Sequence, residues 1–288
     1  MGIGNYDSAN IIHSNGKFYL LVGTSTSNRD HFYIVDAKTL YYENSAVVGA
    51  NLSGLTILNE QYGLVTGDGI RRIDLKSLNK NERLLCFYNS IIYNGKVLSN
   101  DTYKDESKVK YYDVNELIAA KEGEAPAVTE LDIIQKQKIN FVLAKDGNVY
   151  TLESADNGCN IVKIKNDFTL EKVFANFQPA KGPYHSSPTI GMVASETENI
   201  IYLVSTDGAI YKYILGDSDS LKAPFIAAES GVSITAPLQL NQQSGELYVT
   251  YTEELKDESK IVVYSKDGKV LHTVDCGESV PSQILFNN

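Results

Sequence analysis

The chain contains no tryptophan, only three cysteines, only four arginines and only seven prolines in 288 residues. Each shortage removes a class of protein. Cys86, Cys159 and Cys276 are widely separated and form no Cys-x-x-Cys pair. A disulfide-stapled scaffold and a cysteine-based zinc site are therefore excluded, and at least one thiol has no partner within the chain. The four histidines, His13, His31, His185 and His272, form neither His-x-x-His nor His-Glu-x-x-His. No histidine-based metal signature is readable. No Gly-x-Ser-x-Gly elbow is present, so the local signature of an α/β-hydrolase nucleophile is missing. Lys and Arg total 26 against 36 Asp and Glu, a formal charge of −10 with no basic cluster. That balance argues against nucleic acid and against anionic membranes as partners. No apolar run is long enough to span a bilayer, so no membrane insertion is expected. Met1-Gly2-Ile3-Gly4 leads directly into polar sequence without the basic and apolar regions of a signal peptide. The reading is an extracellular or bacterial-surface protein if an upstream signal was removed, and otherwise a cytoplasmic one.

What the chain does have is a repeated turn. Asn15-Gly16, Asp68-Gly69, Asn94-Gly95, Asp146-Gly147, Asp207-Gly208, Ser244-Gly245 and Asp267-Gly268 are each followed by a short β-rich run. Such dipeptides suit the left-handed positions of tight hairpins. Tyrosine is abundant, 19 against nine Phe, and fits strands that bury a ring while the hydroxyl finds a polar partner. Between the turns lie six units of roughly 40–50 residues, the size of a four-stranded propeller blade. They span about 6–48, 49–88, 89–131, 133–175, 182–229 and 231–275. A helical excursion is expected at Asn115–Lys121 in the third. The fourth strand of the fifth is placed at Pro224–Ala227, and the first of the sixth at Ala236–Leu240. Glu278–Asn288 reads as one further innermost strand. The fold predicted is an all-β propeller, a single domain over 1–288, with six four-stranded blades plus an extra C-terminal strand. A seven-bladed parent is the rival.

Two finer repeats accompany the blades. Ser186-Ser187-Pro188-Thr189, Thr235-Ala236-Pro237-Leu238 and Ser279-Val280-Pro281-Ser282 place proline at the expected start of an inner strand. Lys104-Asp105-Glu106-Ser107-Lys108 recurs as Lys256-Asp257-Glu258-Ser259-Lys260 and reads as a solvated hairpin loop or a contact surface for a protein. Asp217-Ser218-Asp219-Ser220 lacks the glycine and terminal glutamate of an EF-hand and reads as an exposed loop.

The segments Ser187-Pro188-Thr189-Ile190 with Ile201–Tyr211, and Thr235-Ala236-Pro237 with Gly245–Val249 and Lys266–Lys269, resemble quinoprotein-type propeller repeats. They are also similar to extracellular propellers of gut Firmicutes and Bacteroidetes surface proteins. The resemblance covers about 133–288 well and 6–130 loosely. It implies export in many members and a blade order running from inner to outer strand. Enzymes of this class bind pyrroloquinoline quinone in a channel lined by Trp and acidic residues, often with calcium, and many relatives are noncatalytic. With no Trp available, neither cofactor nor metal is expected. The expected function is a noncatalytic surface or secreted propeller that binds a protein or glycan at the mouth of its channel. The alternative is a polysaccharide lyase, a hydrolase or a quinone-dependent oxidoreductase using the same channel. Candidate contacts are Asp7, Tyr184, His185, Ser187, Ser233 and Ser279. Asp7 and His185 would orient polar groups, Tyr184 would stack or donate its hydroxyl, and the serines would supply small hydrogen-bonding contacts.

Overall fold

The structure, a computed structural model, describes the chain except residues 1–7, 24–29, 50–53, 67–70, 79–89, 101–106, 122–123, 125, 137–140, 181–190, 254–257, 279, 282–283, 285 and 287–288. Six small antiparallel sheets follow one another in sequence, the blades of a β-propeller. The first holds β1 (Ser8–Ser14), β2 (Lys17–Gly23), β3 (Asp30–Asp36) and β4 (Tyr42–Gly49). The second holds β5 (Gly54–Ile57), β6 (Tyr62–Thr66) and β7 (Arg71–Asp74). The third holds β8 (Ser90–Tyr93), β9 (Lys96–Asn100), β10 (Ser107–Asp113) and β11 (Thr129–Gln135). Helix α1 (Val114–Ala119) leaves β10 where Asp113 accepts the amides of Asn115 and Glu116, an N-cap that ends the strand and starts the turn. The fourth sheet holds β12 (Val142–Leu143), β13 (Val149–Ala155), β14 (Gly158–Ile164) and β15 (Leu170–Phe177). The fifth holds β16 (Met192–Ala194), β17 (Ile200–Val204) and β18 (Ile210–Ile214). The sixth holds β19 (Val232–Ile234), β20 (Gln239–Leu240), β21 (Leu247–Glu253), β22 (Ser259–Tyr264) and β23 (Val270–Gly277). The chain divides into two compact units, Met1–Asp132 and Ile133–Asn288.

The turn dipeptides fall into two geometries. Asn15-Gly16 and Asn94-Gly95 put both residues at positive φ, the two-residue type I′ hairpin that matches strand twist. Lys145-Asp146-Gly147, Thr206-Asp207-Gly208 and Lys266-Asp267-Gly268 are three-residue loops with only the glycine left-handed. In the first two, the aspartate accepts the amide of the residue after the glycine. Asn166-Asp167-Phe168 repeats the geometry with Phe168 at φ 63° in place of glycine, which sequence inspection does not suggest.

Alternation decides the packing. Along β17, Ile201 and Leu203 enter a core shared with Tyr150, Leu152 and Ile161 of the fourth sheet. Tyr202 and Val204, on the opposite face, join Leu247, Val249 and Val262 of the sixth. A blade buried on both faces needs apolar residues at every position, and these four are at most 2% exposed. In the first unit, Phe32 and Ile34 pack with Leu55, Val65 and Ile73. Leu64 and Val97 share a second core with Leu117 of α1. The tyrosine expectation holds in detail: the buried Tyr150 hydroxyl donates to Asp146 at 2.8 Å, and Tyr251 and Tyr264 join hydroxyls at 3.0 Å.

Four expectations need correction. Pro224–Ala227 forms no fourth strand in the fifth sheet and leaves only a bridge from Ile226 to Ile210. The edge of β18 is occupied instead by a 3-10 turn at Ser218–Leu221, where Ser220 Oγ accepts the Ile214 amide and the Asp217 amide donates to the Ile214 carbonyl. Second, the sixth sheet begins earlier than expected, because β19 and β20 both pair with β21, at opposite ends. Third, Pro237 lies in the connection between those two pieces and does not open a strand. Without an amide donor it marks the interruption. Fourth, the described residues of the C-terminal segment are not in a strand. Pro281 accepts a hydrogen bond from Thr250 and the Phe286 ring sits 5.0 Å from Tyr248. The sequence predicts a fourth strand for the second unit at Arg83–Phe87, which lies outside the described residues.

Many carboxylates close turns or ion pairs, and this gives a pH dependence. Thr39 hydrogen bonds hold Asp36 below its ordinary value, the Ser77 amide does so for Asp74, and Lys96 does so for Asp113. Thr169 acts likewise on Asp167. Burial opposes ionisation of Asp146, but bonds from Lys163, Tyr150 and Asn148 outweigh it. A carboxylate with a lowered folded pKa stabilises the fold above the unfolded value, and that contribution disappears as pH falls through the folded one. Urea midpoints should therefore be flat from neutrality down to about pH 5 and fall steadily below about pH 4, the unfolded carboxylate range. A midpoint unchanged on acidification to that range would contradict these pairings.

Candidate functional site

Of the six contacts expected from sequence, Asp7, Tyr184, His185, Ser187 and Ser279 lie outside the described residues. Ser233 is described, and it lines a cleft of about 730 Å³ in the second unit. Three stretches distant in sequence form the walls: the end of β17 with its hairpin, the segment Ala228–Gly231, and β19. Ala180 closes one side, its amide donating to the Val204 carbonyl at 2.9 Å.

The hairpin wall is rigid for a local reason. The Ser205 amide donates to Ala209 and the Gly208 amide donates back to Ser205. Ser205 Oγ, itself buried, lies within bonding distance of Asp207 Oδ1 and of the Ala209 carbonyl. The Ala209 amide donates to the same carboxylate oxygen at 3.0 Å. The Ser205 hydroxyl first, then the Ala209 amide, hold Asp207 below the usual carboxylate range, so it is ionised at neutral pH. Both bonds fall on Oδ1 and leave Oδ2 able to accept from a ligand.

In the segment Ala228–Gly231, Glu229 Oε1 accepts Lys260 Nζ at 3.2 Å, and the same ammonium stands 6.0 Å from the Tyr251 ring centre. Ser233 is exposed on β19 opposite Thr252, whose hydroxyl bonds Thr235 at 2.7 Å. Serine, threonine and carboxylate oxygens dominate the polar lining, and no Lys, Arg or His is among the described lining residues. The arrangement accepts hydrogen bonds and favours positive charge. The Ser205 hydroxyl beside Asp207 closes the hairpin, within bonding distance of Asp207 Oδ1 and the Ala209 carbonyl.

Sequence reasoning missed Ser205, Asp207, Glu229 and Ser230. Asp207-Gly208 was legible only as a turn, and Ser230-Gly231 carried the same unread signal. Burial pushes the Cys159 thiol up to about 11, His31 stacks on Tyr33 at 5.9 Å, and His13 tilts against Phe18. Asp217 caps the 3-10 turn and Asp219 pairs with Lys222 at 2.9 Å, in keeping with an exposed loop.

These sheets and repeats define a β-propeller of the quinoprotein-like type. A crystal structure of a quinoprotein alcohol dehydrogenase-like protein from Bacteroides thetaiotaomicron matches with 97% identity and a TM-score of 0.93, over 100% of this chain and 70% of that one. The chain belongs to the family described as Domain of unknown function (DUF5074), which matches residues 5–287. More distant structures share the fold alone. Kluyveromyces lactis Hsv2 is 12% identical over 95% of this chain and 88% of its own, with a TM-score of 0.56. The β-propeller domain of Cps50 (Swd1) from Myceliophthora thermophila is 11% identical over 96% and 91%, with a TM-score of 0.57. No curated protein matches.

The quinoprotein likeness raises the question of a quinone. The chain has no Trp to form a stacking wall, and among the described residues no group of three or more His, Cys, Asp and Glu could hold a metal ion. The described residues do not fit pyrroloquinoline quinone with its calcium. Among the described residues, no helix is long and apolar enough to cross a membrane.

Proposed function

We propose that this protein is a noncatalytic binding propeller, displayed at the bacterial surface or secreted, that takes a protein or glycan ligand. The observation that carries the reading is the cleft: about 730 Å³ of open, oxygen-lined space on a rigid hairpin and strand, with Ser233 at its wall. Rigid walls and a few convergent polar groups are what a recognition site requires. The near-identical relative from Bacteroides supports a bacterial source.

The test is a screen of glycans and partner proteins against wild type and Ser233→Trp. Ser233 is exposed on a short strand, where an aromatic residue is tolerated. The indole takes up part of the space that Ser233 lines, at a position outside the core cluster of this sheet. Any ligand selected by wild type should bind the variant at least about tenfold more weakly, a loss of about 1.4 kcal/mol, with unchanged thermal stability. Undiminished binding would remove the cleft from the site. Stoichiometric pyrroloquinoline quinone released from the isolated protein on denaturation would overturn the noncatalytic reading.

A further inference from the structure

We draw no further inference here: the strongest candidate, the outer strand β23 of the sixth sheet with Val270, Leu271 and Val274 exposed, shifts register against β22 near both its ends, and nothing in the structure shows what covers it.

Discussion

Phe32→Ala is expected to destabilise the protein by about 3–5 kcal/mol, the range for removing a fully buried ring. Phe32 is 0% exposed in the middle of β3, flanked by Leu21 on β2 and Ala46 on β4. Its ring lies 6.2 Å from Tyr19 and packs with Leu55, Val65 and Ile73 of the next sheet. Strand pairing on both sides prevents collapse into the vacated space, so a cavity term adds to the lost transfer energy. A urea titration should show a much lower midpoint. Tyr41→Ala, at a position 77% exposed, should stay within about 0.5 kcal/mol of wild type. A Phe32→Ala loss below about 1 kcal/mol would mean that the first two sheets do not share this core.

How much of this was legible in sequence depends on where the information is local. Strands with period-two burial and Asn-Gly or Asp-Gly turns announce themselves, and the first and fourth sheets hold the four strands expected of a blade. The fifth sheet failed because its edge is decided by competition. Pro224–Ala227 has strand-like residues, but Ser220 and Asp217 already satisfy Ile214 from a 3-10 turn. Left-handed Leu40, Leu78 and Phe168 were equally unreadable, since nothing in a leucine or phenylalanine marks positive φ. Leu40 and Leu78 share an Asp-x-Lys-Thr/Ser-Leu turn in which the aspartate accepts the Thr39 or Ser77 amide, yet one is 69% exposed and the other 7%. Only the neighbouring sheet distinguishes them.

Of the contacts expected from sequence, Ser233 is the described one, and it lines the cleft. Its charged members were not. Asp207 reads as turn chemistry, and it does that work in the structure through Oδ1. Glu229 and Ser233 reach the same lining from a different connection in the chain. Spacing in sequence carries no record of that convergence.

Gly158→Ala should cost about 2–4 kcal/mol, combining an unfavourable backbone angle with direct overlap. Gly158 opens β14 at φ 119°, outside the range an L-residue adopts without strain. A Cβ built there would lie 2.4 Å from Gln178 Nε2 and 2.5 Å from the Phe177 carbonyl oxygen. The side chain of Gln178 could swing away, at the expense of its 2.6 Å hydrogen bond to the Asn157 carbonyl. The Phe177 oxygen cannot, because it is backbone at the end of β15, paired through Phe177 with Cys159. Gly216→Ala separates the two contributions. Gly216 has φ 87° with nothing within 4 Å of a new Cβ, so it should lose only the backbone part, about 1 kcal/mol. Equal losses for the two variants in urea titrations would show that the close approach of β15 to the β13–β14 turn is absent. A larger loss at Gly158 would place the end of the outer strand where the structure has it, against a position that only glycine can occupy.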